Sequence, residues 1–530
     1  MSIKEPPISD ADATAREALE KLGYKQELSR SRGLFHILFT ILIYVWTSAY
    51  ALAAPFATFL IGGGPATIIW GWVLVSGLTL SVAMSLGEIC SQFPTSAGAY
   101  YWTFRLAPPK SRVALSWING WMTLVGVWTI ALSVNFGTGQ LIVAGAGIYH
   151  PEWVAKPWQT YLIFLAVTTV SSVTCIFFDP LLPVIDILCA VFTGLVILIC
   201  LSAKAAVGRH SAAFALGHFD ASASGWTPGW TFFIGLLPVS VAFPRCLAYT
   251  YAAIGMIASM AEEVHRPAID VPRAIVYSIP IGTIIGLVFL LPIVFTLPDV
   301  SVLLAVTSGQ PIGIMFELIM GSKGGGFGMW FIIFGIGMFC AISISCAASR
   351  ATWAFARDKA LPFSNTFARV TRPPLTSGKI PLNSFLLSTA VQVLLGLIYL
   401  GSSAAFNAFV GVAVICLGAS YVMPVAVSLV EGRRQLVTAP YGLGSWGILV
   451  NAVAVLWVLF SLVLFCMPAV IPVTKSSMNY ASVVFVGFAM FSAVWYTIDG
   501  RYHYVGPTLP DDMGAQSVEG LSEDMEKSNS

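Results

Sequence analysis

Charged side chains vanish from long stretches of this chain. Residues 34–60, 66–86, 113–149, 157–178, 274–298 and 324–349 contain no Asp, Glu, Lys or Arg, and 381–430 carries the pattern on for 50 residues. About 20 apolar residues are enough to cross the hydrocarbon core of a bilayer. The 50-residue run therefore reads as two helices with a turn at Gly401, Ser402 and Ser403. The pattern predicts about twelve transmembrane helices, at 34–60, 66–90, 113–145, 157–178, 182–203, 231–260, 274–297, 328–350, 383–400, 404–428, 445–468 and 479–498. One such run is compatible with a buried core helix, but so many in one chain are not. The expected class is an all-α integral membrane protein, with one domain over 34–498 between a polar tail at 1–33 and a largely disordered acidic tail at 499–530.

Composition agrees. Only 10% of residues are charged, 57% are hydrophobic and the mean hydropathy is +0.82. Soluble domains carry about a quarter charged residues, so lipid is the expected solvent for most of this surface. The net charge of +2 offers no case for nucleic acid. Lysine and arginine sort by side: with the N-terminus inside, 21 of 27 fall on cytoplasmic segments, and the outer loops hold only Lys156, Lys204, Arg209, Lys323, Lys475 and Arg245. This bias sets the orientation with both termini in the cytosol. The first 33 residues contain no apolar signal-peptide core, so the first span is expected to direct insertion. The nine cysteines, an odd number without paired spacing, read as small buried hydrophobes rather than disulfides or metal ligands. With no nucleotide-binding motif, metal cluster or nucleophile–base pair, the sequence points away from an enzyme, a cofactor or direct use of ATP.

Polar interruptions mark the candidate site. A carrier needs polar groups at membrane depth, and unwinding a helix supplies backbone N–H and C=O groups there. Span one has Thr47 and Ser48 at its middle, followed by small residues up to Pro55; span six has Pro238, Pro244 and Gly255 together with Tyr249, Thr250 and Tyr251. Serine and threonine bonding back to their own helix, and a plain proline kink, are the structural alternatives. Span eight offers Ser343 and Ser345, which suit helix packing as well as ligand contact, and span three offers Trp117, Trp121 and Trp128, a packing stripe or an aromatic wall for a cationic amine. Glu88 and Asp186 lie near inner span ends, where an interfacial place competes with a proton relay, and Arg245 sits beside the span-six break. Gly324, Gly325 and Gly326 look like a flexible lead into span eight, and the outer loops at 204–230 and 298–327 have room for short surface helices.

Several ordered motifs resemble one family. They are Leu22-Gly23-Tyr24-Lys25-Gln26-Glu27-Leu28, Gly63-Gly64-Pro65, Ser85-Leu86-Gly87-Glu88, Pro94-Thr95-Ser96-Ala97-Gly98, Met260-Ala261-Glu262-Glu263-Val264, Val271-Pro272-Arg273, Trp353-Ala354-Phe355-Ala356-Arg357-Asp358, Met478-Asn479-Tyr480-Ala481 and Gly500-Arg501-Tyr502-His503-Tyr504. Together they resemble the fungal amino acid/choline transporter family of the amino acid–polyamine–organocation superfamily, which includes GABA and choline permeases. The resemblance implies a five-plus-five inverted repeat with broken helices one and six. It places a solute site at Thr47, Ser48, Tyr249, Tyr251 and Gly255, completed by Ser343, Ser345 and Trp121. The implied function is proton-coupled secondary transport of an amino acid or a small amine such as GABA or choline. The expected location is the plasma membrane, with a vacuolar or other internal membrane as the alternative. A non-transporting nutrient sensor and an exporter of a specialised-metabolism amine are the rival readings. Two departures stand out: relatives often place an acidic residue where Gly255 sits and a histidine where Ser259 sits, and residues 240–248, with Arg245, look inserted. Loss of the acidic group favours a zwitterionic amino acid over choline.

Overall fold

The computed structural model describes residues 10–28, 62–177, 208–222, 224–236, 251–304, 306, 311–372, 379–468, 470–474 and 478–507. The expected spans at 34–60 and 182–203 lie outside these residues, as does 237–250 in the middle of the expected sixth span. Thr47, Ser48, Asp186, Arg245 and Tyr249 therefore also lie outside the described residues.

Among the described residues, the structure is helical, with nine helices long and apolar enough to cross a membrane. We number the helices used below α1 (Asp10–Glu20), α2 (Pro65–Gln92), α3 (Ala99–Leu106), α4 (Arg112–Tyr149), α5 (Pro157–Phe177), α6 (Pro267–Phe295), α7 (Lys323–Arg357), α8 (Leu382–Gly396), α9 (Ser403–Val430), α10 (Gly447–Leu464) and α11 (Ala481–Trp495). A further short turn carries α8 on to Gly401. At 38 residues, α4 is the longest. Its length of about 57 Å at 1.5 Å per residue exceeds the full bilayer thickness, so it must tilt or project beyond it.

Helix starts follow local chemistry. Proline opens α2 and α6, where a missing N–H costs nothing. Ser402 caps α9 by accepting a bond from the Ala405 N–H, which places the turn in the 50-residue run where its small residues predict it. Ser322 caps α7 in the same way, accepting from Gly325 N–H. Gly324, Gly325 and Gly326 are thus not a flexible lead but the first turn of α7. The reason is packing: a Cβ at Gly326 would sit 2.6 Å from the Glu317 Cα, so the absence of side chains lets the helix Ile312–Met320 lie against α7. Short helices at Ala212–Gly217 and Val300–Leu304 lie in the two loops expected to face outward, and Pro228–Ile234 runs from the end of the first loop into the expected sixth span.

Packing sorts the helices into groups. α4, α5, α7 and α8 pack against one another, α2 pairs with α6, and α9 lies between, touching α3, α4, α10 and α11. Small residues set the close crossings: a Cβ at Gly120 of α4 would meet the Phe355 ring of α7 at 2.1 Å, and one at Gly126 would meet Leu417 of α9 at 2.7 Å. A polar knot pins the first group at depth. Asn135 Nδ2 of α4 donates to Ser345 Oγ of α7 at 3.2 Å and to Gln392 Oε1 of α8 at 3.0 Å. At the other extreme, only 11% of the apolar window of the last candidate span, Ala481–His503, which contains α11, is buried. Five of the six described cysteines are buried.

Candidate functional site

The chain returns to the described structure at Tyr251 and forms a 3₁₀ helix over Ile254–Glu263 in place of an α-helix. Runs of 3₁₀ longer than three or four residues are uncommon and mark strain or a hinge. This ten-residue run lies against α6 and α7 and also touches α2.

A narrow cavity opens beside it. Its walls come from the loop and helix Ser96–Tyr100, from Gly120, Thr123, Leu124 and Val127 of α4, from Gly255, Met256 and Ser259 of the 3₁₀ helix, from Ala351 and Phe355 of α7, and from Tyr421 of α9. None of these side chains carries a formal charge at neutral pH.

The predicted site residues are distributed unevenly around it. Gly255 lines the cavity, and the reason it is glycine is Tyr421: a Cβ there would meet the Tyr421 ring at 2.3 Å. The Tyr421 hydroxyl is turned to the Gly255 and Met256 backbone but completes no hydrogen bond. Tyr251 lies on the opposite side of Tyr421, in a second cavity shared with Thr79, Trp457 and Ser461. There its ring stacks on Trp72 at 5.0 Å, and its hydroxyl meets Ser76 at 3.0 Å and Thr283 at 3.4 Å. Trp121 sits one layer behind the first cavity, edge-on to Phe355 and against Phe491. Ser343 is buried on α7, and Ser345 donates to Ala341 O at 2.7 Å and accepts from Asn135. Neither serine lines the cavity, whereas Ala351 and Phe355, further along the same helix, do. Ser259 bonds back to Met256 O at 2.6 Å.

Sequence reading missed Tyr421, whose position inside an apolar run gave no signal, and it missed what lies under the cavity. Tyr100 and Phe355 form the floor, their rings edge-to-face at 5.1 Å. Beneath them four motif blocks converge. Glu262 Oε1 accepts the Ser96 N–H at 3.3 Å, and Ser96 Oγ accepts the Glu262 N–H at 3.4 Å. Arg357 grips both Glu262 oxygens, at 3.0 and 3.1 Å, and its guanidinium lies 4.0 Å from the centre of the Tyr24 ring. Asp358 Oδ2 accepts the hydroxyls of both Tyr24 and Tyr100 at 2.8 Å. Burial lifts the Asp358 carboxyl to about 6, although the Arg357 charge and the two tyrosine hydroxyls pull the other way. Glu263 is matched in turn by Arg350 at 2.8 Å.

Glu88, near the end of α2, is buried and takes no part in the cavity. Arg433 donates to both its oxygens, at 2.6 and 2.7 Å, and the Leu443 N–H donates at 2.8 Å. It anchors the loop between α9 and α10.

A ten-residue 3₁₀ segment beside an uncharged cavity in a multi-span bundle fits a carrier. The amino acid permease family pattern matches residues 33–489. The chain belongs to that family. It is therefore an integral, multi-pass membrane transporter and not an enzyme. The permease is 30% identical over 520 residues to the polyamine transporter TPO5 of Saccharomyces cerevisiae, covering 96% of this chain and 81% of the relative. It is 30% identical over 522 residues to the amino-acid permease BAT1 of Arabidopsis thaliana, covering 94% and 97% respectively. It is 28% identical over 506 residues to a choline transporter of S. cerevisiae, covering 94% and 86%. The permease thus sits among relatives named for three different cargoes, and its own walls have to decide among them.

Proposed function

We propose that this permease carries a small zwitterionic amino acid or a closely related amine by proton-coupled uptake across the plasma membrane. The observation that carries the cargo reading is the charge state of the cavity. Among the described residues, no carboxylate lines it, and the nearest on the 3₁₀ helix, Glu262 and Glu263, are neutralised by Arg357 and Arg350. A polyamine brings several positive charges, each of which needs an opposite charge to offset its loss of water. A zwitterion needs only a place for one carboxylate and one ammonium. The 3₁₀ helix begins at Ile254, so its first turn, which carries Gly255 on the cavity wall, supplies a positive dipole end for the carboxylate. In this reading the unwound middle of the first span, with Thr47 and Ser48, and the tyrosine-rich approach at Tyr249 complete the pocket within a five-plus-five repeat. The proton coupling rests on the family resemblance.

A quaternary amine such as choline is the second reading. The Tyr100, Phe355 and Tyr421 rings line the cavity and provide aromatic faces of the kind that attract such a cation. One experiment separates the readings: uptake of labelled neutral amino acids, GABA, choline and a polyamine by transporter-deficient cells expressing the chain, at two external pH values. Accumulation of a neutral amino acid that rises at acid pH supports the proposal. Accumulation of choline or polyamine alone overturns the cargo, and a ligand that triggers signalling without accumulating favours a sensor.

A further inference from the structure

The segment before the first expected span is docked onto the bundle. Leu19 and Tyr24 are buried in the main core, and Leu28 packs with Trp353 and Ala354 of α7. Hydrogen bonds pin the segment at four elements. Tyr101 of α3 donates to Leu22 O at 2.9 Å, Gln26 donates to Glu262 O of the 3₁₀ helix at 2.9 Å, His265 meets Asp12 at 2.7 Å, and Tyr24 donates to Asp358 at 2.8 Å. The segment therefore covers the face of the bundle that lies beneath the cavity floor. One atom joins the two layers: the Asp358 oxygen that holds Tyr24 also holds Tyr100, and Tyr100 lines the cavity.

We propose that Asp358 is a positioning residue that couples the N-terminal segment to the cavity floor, so that the cavity opens toward that face only when Tyr24 and its segment lift away. With Tyr24 docked, Tyr100 is held by a buried acceptor and stays edge-on against Phe355. With Tyr24 gone, Asp358 gains a route to water and Tyr100 is released. Arg357 reinforces the docked state from the side, because its charge is shared between Glu262 and the Tyr24 ring. Ser96, which borders the cavity, reads the same state through Glu262.

The test is labelling of a reporter thiol, Thr123→Cys in the cavity wall, by a membrane-impermeant maleimide applied to each face of sealed vesicles. The full chain without the reporter is the blank. Tyr24→Phe keeps the ring on Arg357 and removes only the hydroxyl, and Asp358→Ala removes the shared acceptor. Loss of a hydrogen bond to a charged group predicts roughly tenfold or more faster labelling for both, from the N-terminal face only. Asp358→Asn keeps an oxygen acceptor and should restore labelling to near the unmodified rate. Tyr24→Phe should add little in the Asp358→Ala background. Unchanged labelling in well-folded Tyr24→Phe overturns the proposal, as does a rise that is equal from both faces or a melting-temperature loss without a labelling change. Because labelling needs no substrate, its failure leaves the cargo reading standing.

Discussion

Tyr421 and Gly255 are the most tightly fitted pair in the cavity wall. Any side chain at 255 must push the ring of 421, and overfilling of this kind costs roughly 1–3 kcal/mol. Gly255→Ala is expected to lower both melting temperature and uptake in the native background, and to cost clearly less in a Tyr421→Ala background, where the ring it would push is gone. If Gly255→Ala costs as much in the Tyr421→Ala chain as in the native one, the two residues are not fitted to each other as described. Glu88 illustrates a different kind of residue, one whose sequence position raised a proton relay and whose geometry supports an anchor. Its pair with Arg433 is nearly sealed from solvent, with the two side chains 1% and 12% exposed. Breaking such a pair strands a charge at a cost of about 3 kcal/mol or more. Glu88→Ala should therefore destabilise strongly. Glu88→Gln, which still accepts the Leu443 N–H, should destabilise less while keeping the pH dependence of uptake. Loss of that pH dependence in a stable Glu88→Gln protein would return Glu88 to the relay.

Among the elements, the helical spans were readable because lipid imposes a simple rule on length and charge. The described helices α2, α4 to α11 fall where charge-free runs of sufficient length occur, and the turn at Ser402 falls where small residues collect. What composition could not convey was the assembly of the floor. Glu262, the Arg357–Asp358 pair, Tyr24 and Ser96 stand in four separate motifs up to several hundred positions apart, and only the fold brings them within bonding distance. The serines of α7 failed to signal their direction for a related reason: neighbouring turns of one helix face different partners, so Ser345 meets Asn135 while Phe355 meets the cavity. The floor also carries a pH signature. A carboxyl raised to about 6 in the folded protein holds its proton more tightly than in the unfolded chain. Its stabilising contribution is complete below the usual carboxylate range near ~4 and is lost as pH rises through the folded value. Melting temperature followed across this window should fall with rising pH more steeply in the unmodified protein than in Asp358→Asn, whose side chain stays neutral. Equal slopes would remove Asp358 as the titrating group.

For the molecule as a whole, the grouping of α4, α5, α7 and α8 around a polar knot, with α2 and α6 paired apart, is the arrangement a carrier needs if one group rocks against the other. The bias of lysine and arginine across the loops makes a global prediction. Epitope tags at the two ends of the chain should both be reached by antibody only after the cells are permeabilised, and a tag in the 208–222 loop should be reached without it. Exposure of either terminal tag on intact cells would invert the orientation and place the docked N-terminal segment on the outer face.

The fit between positions 255 and 421 also constrains history. A lineage that gains an acidic side chain at the position of Gly255 while a tyrosine fills the same space passes through an overfilled intermediate that loses stability. Reduction of residue 421 first, or both changes together, avoids that penalty. The order of substitutions is then biased by sterics before selection for a new cargo can act, and reconstruction of ancestral permeases should recover a small residue at 421 more often than a tyrosine wherever a carboxylate enters at 255.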